Sequence, residues 1–154
     1  MSRYSAEIDW RSDGRFSDGR YSRAHEWRFD GGQVVRGSAS PGAVREPMSD
    51  PFGVDPEEAL IASASSCHML WFLDLARQDG FELVSYRDAA DGEMGRIGEG
   101  RLALTRITLR PEIGFAGRRP SEAELQDLHH RAHLRCFIAN SLKTEIVIEP
   151  GASR

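Results

Sequence analysis

Apolar and polar residues alternate over the first 40 positions, take helical spacing from 56 to 79, and then alternate again. Three Asp-Gly dipeptides, at 13–14, 18–19 and 30–31, punctuate the first stretch. Asp-Gly is a hairpin signal because both residues tolerate positive φ. The pattern predicts strands near 4–11, 20–29 and 33–39. A short echo, Ser12-Asp13-Gly14-Arg15-Phe16 against Ser17-Asp18-Gly19-Arg20-Tyr21, is too brief for a structural repeat.

The stretch "SPGAVREPMSDPFGVDPEEAL", 40–60, carries four prolines and reads as a loop that delivers the chain to a helix. Asp55-Pro56-Glu57-Glu58 is a complete helix start, with Asp55 as N-cap, Pro56 at N1 and Glu58 closing a capping box. Gly80 is placed to stop the helix, which is expected over 56–79. Leu60, Ala64, Cys67, Trp71 and Leu75 form one stripe, which Leu70 and Leu73 widen. The helix is therefore expected to be covered on several sides.

"FELVSYRDAADGEMG" and "GRLALTRITLRPEIGF" read as two strands forming a hairpin. A second helix follows, with Ser121 as N-cap and Glu124 at N3. "KTEIVIEP" alternates and closes the chain as a strand. The order predicts a single α+β domain over 1–154: N-terminal antiparallel strands, a long central apolar helix, a strand hairpin, a second helix and a closing strand. So apolar a central helix needs more cover than one small sheet gives, which predicts a homodimer.

Composition adds exclusions. A net charge of −4 argues against a general nucleic-acid binder. Apolar runs fall short of the roughly 20 residues a membrane helix needs. "MSRYSAEIDWRSDGR" has no apolar segment of the kind a secretory signal carries. The expected location is cytoplasmic, where a structural bridge between Cys67 and Cys136 is not favoured. Two inert thiols or a redox pair remain the readings. Glycines fall in hairpin turns rather than in a phosphate-cradling loop, so no cofactor is expected.

Helical geometry constrains what can reach Cys67. Glu57, ten residues earlier, lies about 15 Å away along a straight helix and cannot touch it. Ser63-Ala64-Ser65-Ser66 offers a place for a break, which would put Cys67 near a new N-terminus and favour its thiolate. His68 diverges by about 100° from Cys67 and is a poor partner for it. It is expected to pack against another segment or a dimer partner. His129, His133 and Cys136, spaced i, i+4, i+7, could present three metal ligands on one helical face, with His130 alongside. The plain alternative is an ordinary polar face.

Two segments carry a resemblance. "DPEEALIASASSCHMLWFL" is similar to the Asn-Pro-Glu-(Glu/Gln)-Leu…Cys segment of the OsmC/Ohr family of thiol-dependent hydroperoxide reductases, and "CFIANSLKTEIVIE" resembles that family's second cysteine motif. The likeness extends across nearly the whole chain. It implies an OsmC-like fold in an intertwined homodimer with active sites at the interface. It implies that Cys67 is the peroxidatic cysteine, Cys136 the resolving one, and Glu57 the glutamate that pairs with the active-site arginine. Arg20 and Arg23 are the candidates for that arginine, and hairpin length does not choose between them. Arg20 follows a glycine, as the family arginine often does.

The implied chemistry is reduction of organic hydroperoxides, fatty-acid hydroperoxides among them. Cys67 would become a sulfenic acid, Cys136 would resolve it as a disulfide, and a dithiol of lipoyl type would restore both thiols. Met69, Trp71, Phe72 and Phe137 suit an apolar substrate, or equally a core and dimer interface. Asp55, Phe137 and Ala139 depart from the usual Asn, Pro and Ser. The runner-up is a dimeric OsmC-like protein that binds metal or a small ligand through His129, His133 and Cys136.

Overall fold

The computed structural model describes residues 2–149 and 151. Pro150, the last residue of the expected closing strand, lies outside them. The chain divides into two compact units, Met1–Ala59 and Leu60–Arg154.

The first unit is a three-stranded antiparallel sheet, β1 (Ala6–Asp9), β2 (His25–Phe29) and β3 (Val34–Gly37), in that spatial order. The Asp30-Gly31 turn joins β2 to β3, closed by the Phe29 N–H donating to the Gln33 carbonyl at 3.0 Å. The first two Asp-Gly pairs do not make a tight hairpin. They lie in a long β1–β2 connection that contains a 3₁₀ turn, Phe16–Asp18. Asp13 and Asp18 carboxylates accept local backbone N–H groups there, which satisfies the backbone without a ladder. β2 therefore begins at His25, five residues later than expected. Val54 bridges to Gly37, so the proline-rich loop lies along the outer edge of β3.

Helix α1 (Pro56–Gln78) starts with the expected capping box. The Asp55 carboxylate accepts the Glu58 N–H at 2.8 Å, and Glu58 accepts the Asp55 N–H at 3.2 Å. Gly80, with φ +79°, ends it as the Phe81 N–H returns to the Ala76 carbonyl at 2.9 Å. The buried line is Ala64, His68, Phe72, Leu75 and Ala76. The expected stripe is thus turned by one residue: His68 and Phe72 are inside, while Cys67 and Trp71 are half-buried and Leu70 is exposed. A helix nearly apolar all round does not reveal its inner face by hydropathy, and packing partners decide it. By length and composition α1 could also cross a membrane, a test that a core helix passes as well.

In the second unit the two predicted strands are four: β4 (Glu82–Asp88), β5 (Asp91–Ile97), β6 (Arg101–Leu109) and β7 (Pro111–Ala116). Each long segment changes sheet midway, so β4 pairs with β7 and β5 with β6. Asp88 fixes the shared corner by accepting the Arg110 N–H at 2.6 Å, and Pro111 has no N–H to continue the ladder. Helix α2 (Glu122–Arg135) opens with the Ser121/Glu124 capping box. The short α3 (Phe137–Ser141) follows, and β8 (Glu145–Ile148) joins β6 in parallel. A parallel partner requires a long crossover, which α2 and α3 provide.

Two clusters make the core of this unit. Phe72, Leu75 and Ala76 of α1 meet Ile113 and Phe115 of β7 and Leu128 and Ala132 of α2. Nearer its start, α1 places Ala64 against Ile107 and Leu109 of β6. The architecture is α+β.

Candidate active site

Helix α1 runs unbroken through Ser63–Ser66, so the expected new N-terminus before Cys67 does not form. Ser65 explains why. Its hydroxyl donates to the Asp88 carboxylate at 2.5 Å instead of competing with the helix backbone. Cys67 therefore lies mid-helix and receives no help from orphan N–H groups.

Its partner is Cys136. That residue is buried, with 1% exposure, between the end of α2 and the start of α3. Its extended ψ of 111° breaks the helical register, and its Sγ accepts the Ala139 N–H at 3.4 Å as the N-cap of α3. Cys67 is a neighbour of Cys136, and both thiols are free. Burial pushes the Cys136 thiol up to about 11, opposed by the Ala139 N–H and reinforced by the neighbouring Cys67. Trp71 and Phe137 meet edge-on beside the pair at 5.5 Å, and the Arg135 guanidinium lies 5.7 Å from the Trp71 ring.

The histidines take a different arrangement from the metal face that their spacing allowed as an alternative. His68 Nε2 and His129 Nδ1 are hydrogen-bonded at 3.0 Å, with rings stacked 10° from parallel. Burial, with the neighbouring His129 and His133 charges, holds His68 down at about 3; burial alone holds His129 at about 4. Both are neutral near pH 7. Cys136 has left the helix before the i+7 position and turns to Cys67. The trio His129, His133 and Cys136 is not gathered, and among the described residues no three His, Cys, Asp or Glu side chains are disposed to hold a metal ion.

In the first unit, an apolar cavity of about 460 Å³ is lined by Ile8, Trp10, Phe16, Tyr21, Arg23 and His25, among others. The aromatic ends of the short echo, Phe16 and Tyr21, meet there at 4.9 Å and both pack on Trp10. Arg23 is the cation of this cavity. Its guanidinium lies 3.7 Å above the Tyr21 ring, and Nη1 donates to the Tyr21 carbonyl at 2.6 Å. Arg20 is exposed outside it, its N–H taken by Asp18. Glu57 is half-buried in the first turn of α1. Among the described residues it forms no ion pair with either arginine within one chain.

Sequence reasoning missed the His68–His129 pair, Asp88 at the sheet corner and Arg135 on Trp71. Each joins residues distant in sequence, or depends on a cap, and no local pattern signals it. The His25–Trp27 contact described below had a faint signal, since residues two apart share one face of a strand.

The sequence profile of the OsmC-like protein family matches residues 48–150. An OsmC-like protein of unknown function from Vibrio cholerae is 45% identical, with a TM-score of 0.95 over 98% of this chain and 100% of that one. An organic hydroperoxide resistance protein from Elizabethkingia anophelis superposes with a TM-score of 0.69 at 17% identity, covering 100% and 97% of the two chains. Another, from Bacillus subtilis, gives 0.63 at 15% over 96% and 98%. Likeness at that level of identity speaks for the fold alone. No curated protein matches the sequence. A profile match over two thirds of the chain and an end-to-end relative at 45% identity agree with the two cysteine motifs, and the chain is a member of the OsmC-like family.

Proposed function

We propose that this protein is a cysteine-based peroxidase that reduces organic hydroperoxides, fatty-acid hydroperoxides among them. The observation that carries the reading is the placement of the Cys67 and Cys136 thiols as neighbours, both reduced. In this mechanism the Cys67 thiolate attacks the terminal peroxide oxygen. The O–O bond breaks, the alcohol leaves after taking a proton, and Cys67 is oxidised to the sulfenic acid. Cys136 then attacks that sulfur, water is released, and a Cys67–Cys136 disulfide forms. A dithiol of lipoyl type reduces the disulfide by two exchanges.

The half-exposed Cys67 and the fully buried Cys136 suit this division of labour: the first meets peroxide, the second waits beside it. Arg23 is assigned as the cation that assists thiolate formation and charge on the leaving oxygen, because it is the arginine of the apolar cavity. Glu57 is its carboxylate partner by resemblance to the family, in a homodimer with active sites at the subunit interface. The reading places the protein in the cytoplasm.

The test is intact mass after one equivalent of an organic hydroperoxide is added to reduced protein. The expected result is a rapid loss of about 2 Da, absent in Cys67→Ser and in Cys136→Ser, with Cys136→Ser gaining about 16 Da instead. An unchanged wild-type mass while peroxide persists overturns the reading.

A further inference from the structure

Two hydrogen bonds fix the protonation of His25. The Trp27 indole N–H can only donate, and it lies 2.5 Å from His25 Nε2, so that nitrogen must accept. The ring proton is then on Nδ1, which donates to the Arg23 carbonyl at 2.8 Å. The Arg23 N–H donates to the Met48 carbonyl, also at 2.8 Å. Both backbone polar groups of Arg23 are therefore tied, and its side chain folds over Tyr21 from that fixed base. Space is reserved for the arrangement. A Cβ on Gly37 would fall 2.5 Å from Trp27 Nε1 and 2.6 Å from His25 Nε2.

We propose that His25 is a positioning residue for the Arg23 guanidinium, working only as the neutral imidazole that carries its proton on Nδ1. The proposal rests on the peroxidase reading for its effect on turnover. Protonating Nε2 would set two donors against each other at the Trp27 contact. The ring would have to turn, releasing the Arg23 carbonyl. Arg23 is the charged group on the face of the sheet that carries the His25 and Trp27 side chains, whereas Asp9, Glu26, Arg28 and Arg36 alternate with them and lie on the other face. Asp9 and Glu26 are both held by Arg28, and Arg36 by Asp50. Among the described residues no carboxylate hydrogen-bonds the ring, and the Nδ1 bond is to a carbonyl.

The experiment has two arms. Nitrogen NMR of the imidazole in the full-length wild type reads the tautomer without any turnover. Expected are a protonated Nδ1 and a bare Nε2, with the Nδ1 proton coupled to the Arg23 carbonyl. The second arm is kcat and KM with an organic hydroperoxide for wild type, His25→Phe and His25→Asn. His25→Phe, which loses both bonds, is expected to lower kcat/KM by about tenfold or more, mostly through kcat. His25→Asn, whose amide can still reach the Arg23 carbonyl, recovers most of that loss. An Nε2-protonated tautomer overturns the proposal. So does a His25→Phe enzyme as active as wild type. Absence of turnover in wild type counts against the peroxidase reading alone, and the NMR arm still decides the clamp.

Discussion

Cys67 and Cys136 are neighbours in the fold, although 69 positions separate them in the chain. Helix α1 presents the first, half-exposed, and the break between α2 and α3 presents the second, buried. Burial raises the inner thiol, so the pair is chemically unequal before any peroxide arrives.

That inequality should be visible in alkylation. At pH 8, iodoacetamide is expected to modify Cys67 well before Cys136, since a thiol near 11 is roughly one part in a thousand ionised there. Peptide mapping over a time course reads the order, and equal rates would contradict the assignment. The same shift affects stability. Because the folded Cys136 value lies above the ordinary thiol value of 9.0, its contribution is complete below about pH 9 and is lost as pH rises towards 11. Thermal melts of wild type should weaken across that window more than those of Cys136→Ala.

The buried His68–His129 pair predicts the opposite limb. Both folded values lie far below 6.5, so the unfolded chain takes up protons first as pH falls. The stabilisation is complete above about pH 6.5 and is lost on descent towards 4 and 3. Tm should fall steeply below pH 6, by an amount equivalent to a few kcal/mol. A His68→Phe, His129→Leu double variant should show a flatter acid limb in the same melts, whatever its stability at pH 8.

The two candidate arginines are separable by kinetics. Arg23→Ala is expected to lower kcat/KM for an organic hydroperoxide by about a hundredfold, the usual scale for losing one charge-stabilising group. Arg20→Ala, altering an exposed side chain, should stay within about twofold. If the order is reversed, the cavity arginine is not the working one.

Gly37→Ala probes the space beside His25 and Trp27 without touching either. The added methyl meets both rings, so the Trp27–His25 bond must open. A changed tryptophan emission spectrum and a Tm lower by several degrees are expected; an unaltered Trp27 environment would show that the strand moves aside instead.

Asp55→Ala removes one half of a capping box, the carboxylate that accepts the Glu58 N–H at 2.8 Å. It should cost about 1 kcal/mol in denaturant unfolding, with Asp55→Asn costing much less.

Much of this was legible because it is local. Asp55 with Glu58, Ser121 with Glu124 and Gly80 after Gln78 are short-range signals whose chemistry is complete within a few residues, and the helices begin and end where they say. The two cysteine motifs carried the family, and with it the α+β order. Other features lay beyond a one-dimensional pattern. The inner face of α1 was misplaced by one residue because apolar residues surround it almost completely. Two strands became four because Asp88 and Pro111 turn the chain where the alternation continues unbroken. The metal face dissolved because Cys136 caps a helix instead of extending it.

By itself, then, the sequence determined where helices start and stop and what family the chain belongs to. Tertiary structure alone decided that Cys136 turns to Cys67, that His68 stacks on His129 and that Arg23 lines the apolar cavity. Such contacts join residues far apart in sequence or hang on one backbone torsion, and their energy depends on burial that only the folded chain creates.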